Sequence, residues 1–339
     1  MRIQEVADLL GTTARAIRLY EQKGLLQPGK DEDNGYRHYE TAHIEQLQWI
    51  LALRELGLSL ETIAGLLSVR GQPEVWAEQL EAARASLYRQ HLAAAQGLQA
   101  LDGVMSALER TREVPLQEML SAASHLRESR LLRESWQDRW DYDRLAQRMD
   151  DGEVGLPLAF SADGLSDDLY ARTLDAVTAA ISPQPGERGL DLGTGLGNLA
   201  WRLAATGAEV IGVEQSTEML RACRRRHPQL PVRQGNLLAL PFADATADFI
   251  TCSFALHHLT PEQQRLALRE IGRVLKRNGR VCIAGLNSSP IQANNKAPLW
   301  HPLIKTSLIN WFQESGMNYD ITLLSSAVML IHARAGSKI

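Results

Sequence analysis

Apolar positions fall into three regimes along the chain. In residues 1–70 they recur at helical spacing in short runs, separated by turn signals such as Gly11-Thr12-Thr13, Pro28-Gly29 and Asp33-Asn34-Gly35. Ile3, Val6, Ala7 and Leu10 share one face of a first helix. Gly11-Thr12-Thr13 then turns the chain and caps a second helix, expected over 14–23, with Ile17 inward and Arg15 and Arg18 outward. A further helix pair is expected over 47–56 and 60–67, around Leu56-Gly57-Leu58-Ser59.

The second regime runs from Pro73 to about Arg112, where only Gly97 and Gly103 interrupt a helical composition. Leu80, Leu87, Ala94, Leu101 and Leu108 recur every seven residues, and Leu98 and Met105 each follow a member of that row by four. One helix of roughly 55 Å is predicted at the standard rise. Its apolar seam either pairs with a copy of itself or packs on the rest of the chain as a bundle helix does. Gln90, His91 and Gly97 weaken the heptad locally. Pro115 opens a connecting stretch, helical to about Arg133.

From about Trp136 onward, β-rich runs at 188–191, 209–214, 232–234, 248–253 and 280–285 alternate with helical stretches at 197–205, 217–227 and 261–276. That alternation predicts a parallel sheet wrapped by helices. The end departs from it, with a helix over 308–315 and strands over 319–324 and 327–334.

Composition narrows the class. Of the 339 residues 45% are hydrophobic and 22% charged, and the formal net charge is −4, which excludes coating nucleic acid by bulk positive charge. Cys223, Cys252 and Cys282 are an odd number in a long chain and imply no disulfide framework. No apolar run approaches the ~18 residues of a membrane span. Met1-Arg2-Ile3-Gln4 does not read as a signal peptide. The expectation is a soluble cytoplasmic protein with no membrane partner.

Two adjacent helices with exposed cations on the second suit a helix-turn-helix, though any two-helix corner gives the same spacing. The run from Thr13-Ala14-Arg15-Ala16-Ile17-Arg18-Leu19-Tyr20-Glu21 to Gly24-Leu25-Leu26-Gln27-Pro28 is more specific, as is the Gly35-Tyr36-Arg37-His38-Tyr39 that follows. Together they resemble the MerR family of transcriptional regulators. The resemblance implies a homodimer on a palindromic promoter with an overlong spacer, which it distorts, with RNA polymerase as a partner there. It also implies that Arg15 and Arg18 reach bases or phosphates, that Tyr20, Tyr36 and Arg37 contact the backbone, and that Thr13 belongs to the same DNA-binding set. On the residues alone, each Arg also fits a solvated helix face and each Tyr a core plug; Tyr20 is expected to be partly structural. Residues 1–70 hold eight Lys/Arg and ten Asp/Glu, a net −2, so non-specific affinity should be modest. Metal and redox sensors of that family carry cysteines near the start and beyond the end of the dimer helix. None lies between Met1 and Ala222, so no metal site is expected.

In the third regime, Gly189-Leu190-Asp191-Leu192-Gly193-Thr194-Gly195-Leu196-Gly197 follows a strand and opens a helix. Its G-x-G-x-G spacing differs from the G-x-G-x-x-G of dinucleotide sites. Asp191 suits a cationic ligand group. Glu214, 23 residues later at the end of the next strand, suits ribose hydroxyls. The turn alone can be a turn without a ligand; turn and carboxylate together point to an adenosine-type cofactor.

These residues resemble class I S-adenosylmethionine-dependent methyltransferases, over about 136–285. Gln234-Gly235-Asn236-Leu237 resembles the adenine-binding motif, with Asn236 where an acid is common, and 247–259 resembles the motif that follows. The implied cofactor is S-adenosyl-L-methionine, held by Asp191, Gly193, Gly195, Gly197, Glu214, Gln215, Asn236, Leu237 and Ser253. Trp140-Asp141-Tyr142-Asp143 with Ala146 resembles the helix that lids the cofactor in the small-molecule branch. His257 and His258 are candidate catalytic bases or structural histidines. The (Asp/Asn)-Pro-Pro-(Tyr/Phe) signature of nucleobase amino methylation is absent, Ser253-Phe254-Ala255-Leu256 standing in its place. A small-molecule acceptor or effector is expected, covered by 288–302 with Asn294, Asn295, Trp300 and His301.

The expected architecture is multidomain. An all-α winged helix-turn-helix (1–72) leads into an antiparallel coiled-coil dimerisation helix (73–112) and a helical linker (113–135). An α/β Rossmann-like methyltransferase fold with a mostly parallel seven-stranded sheet (136–339) follows. The expected function is a DNA-binding regulator whose effector domain methylates or senses a small molecule. The alternative is a small-molecule methyltransferase whose N-terminal module mainly dimerises or autoregulates.

Overall fold

The computed structural model describes residues 1–30, 36–150, 165–287 and 301–336. It forms two compact units, Met1–Leu87 and Tyr88–Ile339. The first contains α1 (Ile3–Leu9), α2 (Ala14–Gln22), β1 (Gly29–Lys30), β2 (Arg37–His38), α3 (Thr41–Glu55), α4 (Leu60–Ser68) and the opening turns of α5 (Pro73–Thr111). Helix α2 starts where the sequence places a cap: the Thr13 hydroxyl accepts the Ala16 amide at 3.1 Å. Ser59 caps α4 through the Thr62 amide in the same way. Val6, Ala7, Ile17, Leu47, Ile50, Ile63 and Leu66 close one core, and Leu80 and Leu87 of α5 pack half-buried against it. Strands β1 and β2 pair antiparallel, Gly29 opposite His38, so the wing is a ribbon within an otherwise helical unit. At two residues per strand it is too short for any alternation to announce it.

The second unit carries the rest of α5, then α6 (Leu116–Glu134), α7 (Tyr142–Asp150), α8 (Asp167–Ile181) and a seven-stranded sheet. The strands are β3 (Arg188–Leu192), β4 (Glu209–Glu214), β5 (Val232–Gln234), β6 (Ala247–Ser253), β7 (Leu275–Leu286), β8 (Met317–Leu323) and β9 (Val328–Ala335). Between them run α9 (Asn198–Ala204), α10 (Thr217–Arg226), a 3-10 turn (Leu256–His258), α11 (Pro261–Val274) and α12 (Lys305–Glu314). The sheet order is β5-β4-β3-β6-β7-β9-β8. The first five strands are parallel, and β9 pairs antiparallel with both β7 and β8.

Both faces are covered, which is why the central strands read as nearly continuous apolar runs. Leu174, Val177 and Ile181 of α8 pack with Leu199 and Leu203 of α9 on Phe249 and Cys282. On the other face Leu266 and Ile271 of α11 and Phe312 of α12 pack on Ile250, Val281 and Ile283. Strand β7 begins at Leu275, inside the stretch expected to be helical. Leu275 pairs with Ala247, and the register then shifts before Phe249 meets Arg280. The end of α6 is fastened to this body: Arg133 donates to the Leu238 carbonyl at 3.0 Å, and Gln263 of α11 donates to the Leu132 carbonyl at 3.2 Å. Among the described residues no helix is long and apolar enough to cross a membrane.

Candidate cofactor cavity and DNA-facing surface

In the first unit, helix α2 turns Ile17 and Tyr20 into the core and leaves Arg15 and Arg18 exposed. Tyr20 is only 7% exposed, so its structural part dominates. Thr13 spends its hydroxyl on the helix cap. Tyr36 is 65% exposed, with the Arg2 guanidinium 5.6 Å from its ring centre. Arg37 pairs with Glu21 of α2 at 2.7 Å, and the Tyr39 hydroxyl donates to the same carboxylate. Glu21 thereby ties the wing to the second helix of the pair, and the Arg37 side chain stays about half exposed beside it. Gly35 lies outside the described residues.

In the second unit, the carboxyl ends of β3, β4 and β6 open into a cavity of about 320 Å³, within the range of small-molecule sites. Asp191, Gly193, Gly195, Glu214, Gln215, Asn236, Leu237 and Ser253 all border it. Asp191 is 2% exposed and accepts hydrogen bonds from the Thr194 and Thr251 hydroxyls at 2.7 and 2.8 Å. Burial nevertheless raises its carboxyl to about 6. Glu214 is also raised by burial, against three backbone hydrogen bonds: Gln215 at 2.7 Å and Ser216 at 2.9 Å on one oxygen, Gly195 at 3.1 Å on the other. A carboxylate has about four lone-pair positions, so one remains for a ligand hydroxyl before any of these bonds must yield. Asn236 donates to the Gln215 side chain and accepts the Leu238 amide at 2.7 Å, which fixes its orientation toward the cavity.

Gly195 sits at φ +53° with no atom within 4 Å of where a Cβ would stand, so bare left-handed backbone faces the cavity. Ser253 Oγ is buried and finds no hydrogen-bond partner among the described residues. Both features fit a ligand that approaches the backbone closely and supplies a polar group near the end of β6. Gly197 does not border the cavity. A Cβ there would lie 2.6 Å from Cys223 Sγ, so its role is close packing of the turn on α10.

The segment that resembles a lid borders the cavity. Trp136, Asp138, Trp140, Tyr142, Asp143 and Leu145 line the cavity. Asp138 accepts the Trp140 and Tyr142 amides at 3.0 and 2.8 Å. Asp143 accepts the Ser216 hydroxyl at 2.6 Å and the Glu218 amide at 3.3 Å, fastening α7 to the start of α10. Ala146 is buried with Leu196, Met219 and Ala222.

The two histidines separate. His257 is fully buried away from the cavity, and its carbonyl accepts the His301 amide at 2.6 Å. His258 lines the cavity and hydrogen-bonds Tyr142 through Nε2. Burial lowers both, His258 to about 3, so both rings are neutral near pH 7 and His258 is a poor resting base. Sequence reasoning missed Tyr170, Leu174 and Phe254 in the wall. Phe254 has φ +52°, a strained backbone for an aromatic residue, directly after β6. No local pattern marks these side chains, because separate elements bring them together. Of the expected acceptor cover, 288–300 lie outside the described residues.

Comparisons with known proteins divide the chain as its units do. Residues 1–69 match the model of the MerR HTH family regulatory proteins, and residues 190–283 match a methyltransferase domain model. The demethylmenaquinone methyltransferase of Beutenbergia cavernae is 36% identical over 150 residues, covering 44% of this chain and 58% of that protein. The enzyme of that name from Streptomyces griseus is 35% identical over 127 residues, 38% of this chain and 50% of that protein. The chain thus spans little more than half the length of these relatives. Solved structures of similar fold include a SAM-dependent methyltransferase from Aquifex aeolicus, 19% identical at a TM-score of 0.38, covering 47% of this chain and 88% of that one. Another, from Mesorhizobium loti, is 19% identical at a TM-score of 0.40, covering 51% of this chain and 99% of that one.

Proposed function

We propose that this chain, a MerR-type helix-turn-helix domain joined to a methyltransferase domain, is a dimeric DNA-binding regulator. In this reading its second domain binds S-adenosylmethionine and methylates or senses a small molecule. The observation that carries the cofactor reading is the bare backbone at Gly195 between two carboxylates, buried Asp191 and half-buried Glu214, in one cavity. Glu214 takes a ribose hydroxyl, Asn236 and Leu237 meet the adenine, and Asp191 and Ser253 serve the amino-acid end. Bound S-adenosylmethionine supplies an already activated methyl group. The protein's own work is therefore to orient its partners and exclude water, which the aromatic wall does.

The DNA reading rests on exposed Arg15 and Arg18, with Arg37 beside them on the wing. The dimer reading rests on the second half of α5. Leu98, Leu101, Met105 and Leu108 keep heptad spacing and are 41–64% exposed, a stripe that a second copy covers in a short coiled coil. Leu80 and Leu87 lie outside that seam, being used within the first unit. One guanidinium relates the cavity to the seam-bearing helix: Arg133 donates to the Leu238 carbonyl and, at 3.2 Å, to Gln96 of α5. Leu238 adjoins the adenine residues, so cofactor occupancy and helix position share a contact.

The test is equilibrium binding of S-adenosylmethionine to the full chain and to Glu214→Ala. Loss of a charged hydrogen bond lowers affinity at least about tenfold. Because Glu214 also holds three backbone amides, the variant should melt at a lower temperature without ligand. Equal affinity in both proteins would remove Glu214 from the site. Incubation with methyl-labelled cofactor and cell metabolites then separates turnover, read as label transfer, from sensing alone.

A further inference from the structure

Helix α6 is 19 residues long and contains no buried residue. A free-standing helix of that length is marginal in water, so packing has to hold it. What the rest of the chain supplies is concentrated at one end. Leu132 and Trp136 pack half-buried on the core of the second unit, Arg133 donates to the Leu238 carbonyl, and Gln263 donates to the Leu132 carbonyl. Leu116, Met119, Leu120 and Leu131, with Val114 just before the helix, are 46–80% exposed. Leu116, Leu120, Ala123 and Leu131 keep the spacing of one helix face, interrupted at Arg127.

That face and the exposed stripe of α5 lie on the same side of one helical hairpin, and both belong to the second unit. The two helices are joined at one end by residues 112–115 and meet at the other, where Arg133 donates to Gln96, so they run antiparallel. The helical row that starts at Gln96, with Ala100, Val104 and Ala107, is the less exposed side of this half of α5. Its counterpart on α6 is the half-buried row of Ala122, Leu126, Ser129 and Arg133. The Arg133–Gln96 bond sets these rows against each other. At 3.6 residues per turn, each exposed stripe lies about 120° onward from the inner row of its own helix. Because the helices are antiparallel, the same sense of rotation carries both stripes to one side of the pair.

A stable interface buries about 800 Å² and 20–30 residues on each partner. Four half-exposed side chains on α5 fall well short of that, and the α6 stripe about doubles the apolar surface on the same side. A copy laid along the α5 stripe stands over α6 as well. We propose that the dimer is closed by four helices, the α5–α6 hairpin of one copy packing on that of the other, so that a second copy of this chain covers the α6 stripe too. This rests on the dimer proposed above and extends it to a helix that the second unit holds by its own hydrogen bonds. The methyltransferase-like unit is thereby part of the dimer contact.

The experiment is sedimentation equilibrium of the full chain over a wide concentration range, with circular dichroism to check that each variant keeps its helical content. Leu116→Asp combined with Leu120→Asp places two carboxylates in the stripe near the start of α6, where negative charge suits the helix dipole. The dimer dissociation constant should rise at least about tenfold. Leu116→Ala with Leu120→Ala, which favours the helix while removing apolar surface, should raise it by a smaller factor. Ser121→Asp puts the same charge on the outer face of α6 and should leave the constant unchanged. A constant unaffected by either double variant, or raised as much by Ser121→Asp, overturns the proposal and leaves α6 outside the interface. A wild type that sediments as a monomer throughout is a different failure: the α5 dimer itself falls, and this inference with it.

Discussion

Burial raises the Asp191 carboxyl from 3.8 to about 6, although Thr194 and Thr251 pull it the other way. In the folded, ligand-free protein the proton is therefore held more tightly than in the unfolded chain. Asp191's contribution to stability is fully present below 3.8 and is lost as pH rises through about 6. Above that the buried charge costs at most about 3 kcal/mol. Asp191→Asn should thus melt at a higher temperature than wild type near pH 7.5, and the difference should close below pH 4. The same variant should bind S-adenosylmethionine more weakly, since the carboxylate that costs stability is the one available to a ligand cation. Thermal denaturation across pH measures the first half; a difference independent of pH would mean that Asp191 is not held protonated by burial.

Much at this scale was legible because chemistry-bearing residues lay close together in sequence. Asp191, Gly195 and Glu214 could be placed from strand ends and glycine spacing, and Asn236 only through the resemblance of 234–237 to an adenine-binding motif. The Tyr142–His258 contact could not, since 116 residues separate its members. Gly197 reads like its neighbours in the glycine run, and only the packing against Cys223 separates it from them.

Among the elements, α5 shows what periodicity can and cannot report. The seven-residue row marks which face of the helix is apolar. It does not say what covers that face, and the structure divides the row: Leu80 and Leu87 rest on the first unit's core, while Leu98, Leu101, Met105 and Leu108 stay exposed. Substituting Leu101 and Met105 by Asp should therefore break the proposed dimer and spare the fold, because each carboxylate would be buried only in that dimer, at about 2 kcal/mol or more. Sedimentation equilibrium should find a monomer with unchanged helical content. A dimer that survives both substitutions would place the seam elsewhere. Sheet strands were legible to within a residue or two where alternation with helices was regular. The start of β7 was missed because Lys276-Arg277-Asn278 carries no strand-like residues. Pairing of Leu275 with Ala247 supplies what local propensity does not.

For the whole molecule, the proposed function makes DNA and cofactor the two inputs of a chain that matches a MerR helix-turn-helix model and a methyltransferase domain model. A net −2 over residues 1–70 leaves little bulk attraction to phosphate, so the proposed DNA binding would draw its affinity from a few placed cations in the proposed dimer. Arg15→Ala and Arg18→Ala should relax base preference. Arg37→Ala should weaken all sequences alike and reduce the salt slope, while leaving Glu21 with a charge partner fewer. Titration of specific and random duplexes at several salt concentrations decides it; the same loss on both duplexes for all three variants would leave no base-reading role.

Linkage requires that if bound cofactor favours one dimer arrangement, DNA that selects that arrangement changes cofactor affinity by the same factor. The direct measurement is calorimetric titration of S-adenosylmethionine into the full-length protein, alone and saturated with a duplex selected from random sequence for tight binding. A regulator whose methyltransferase domain is its sensor gives two different dissociation constants, and Gln96→Ala brings them together by breaking the Arg133 bridge. Identical constants with and without DNA in the wild type would contradict the account.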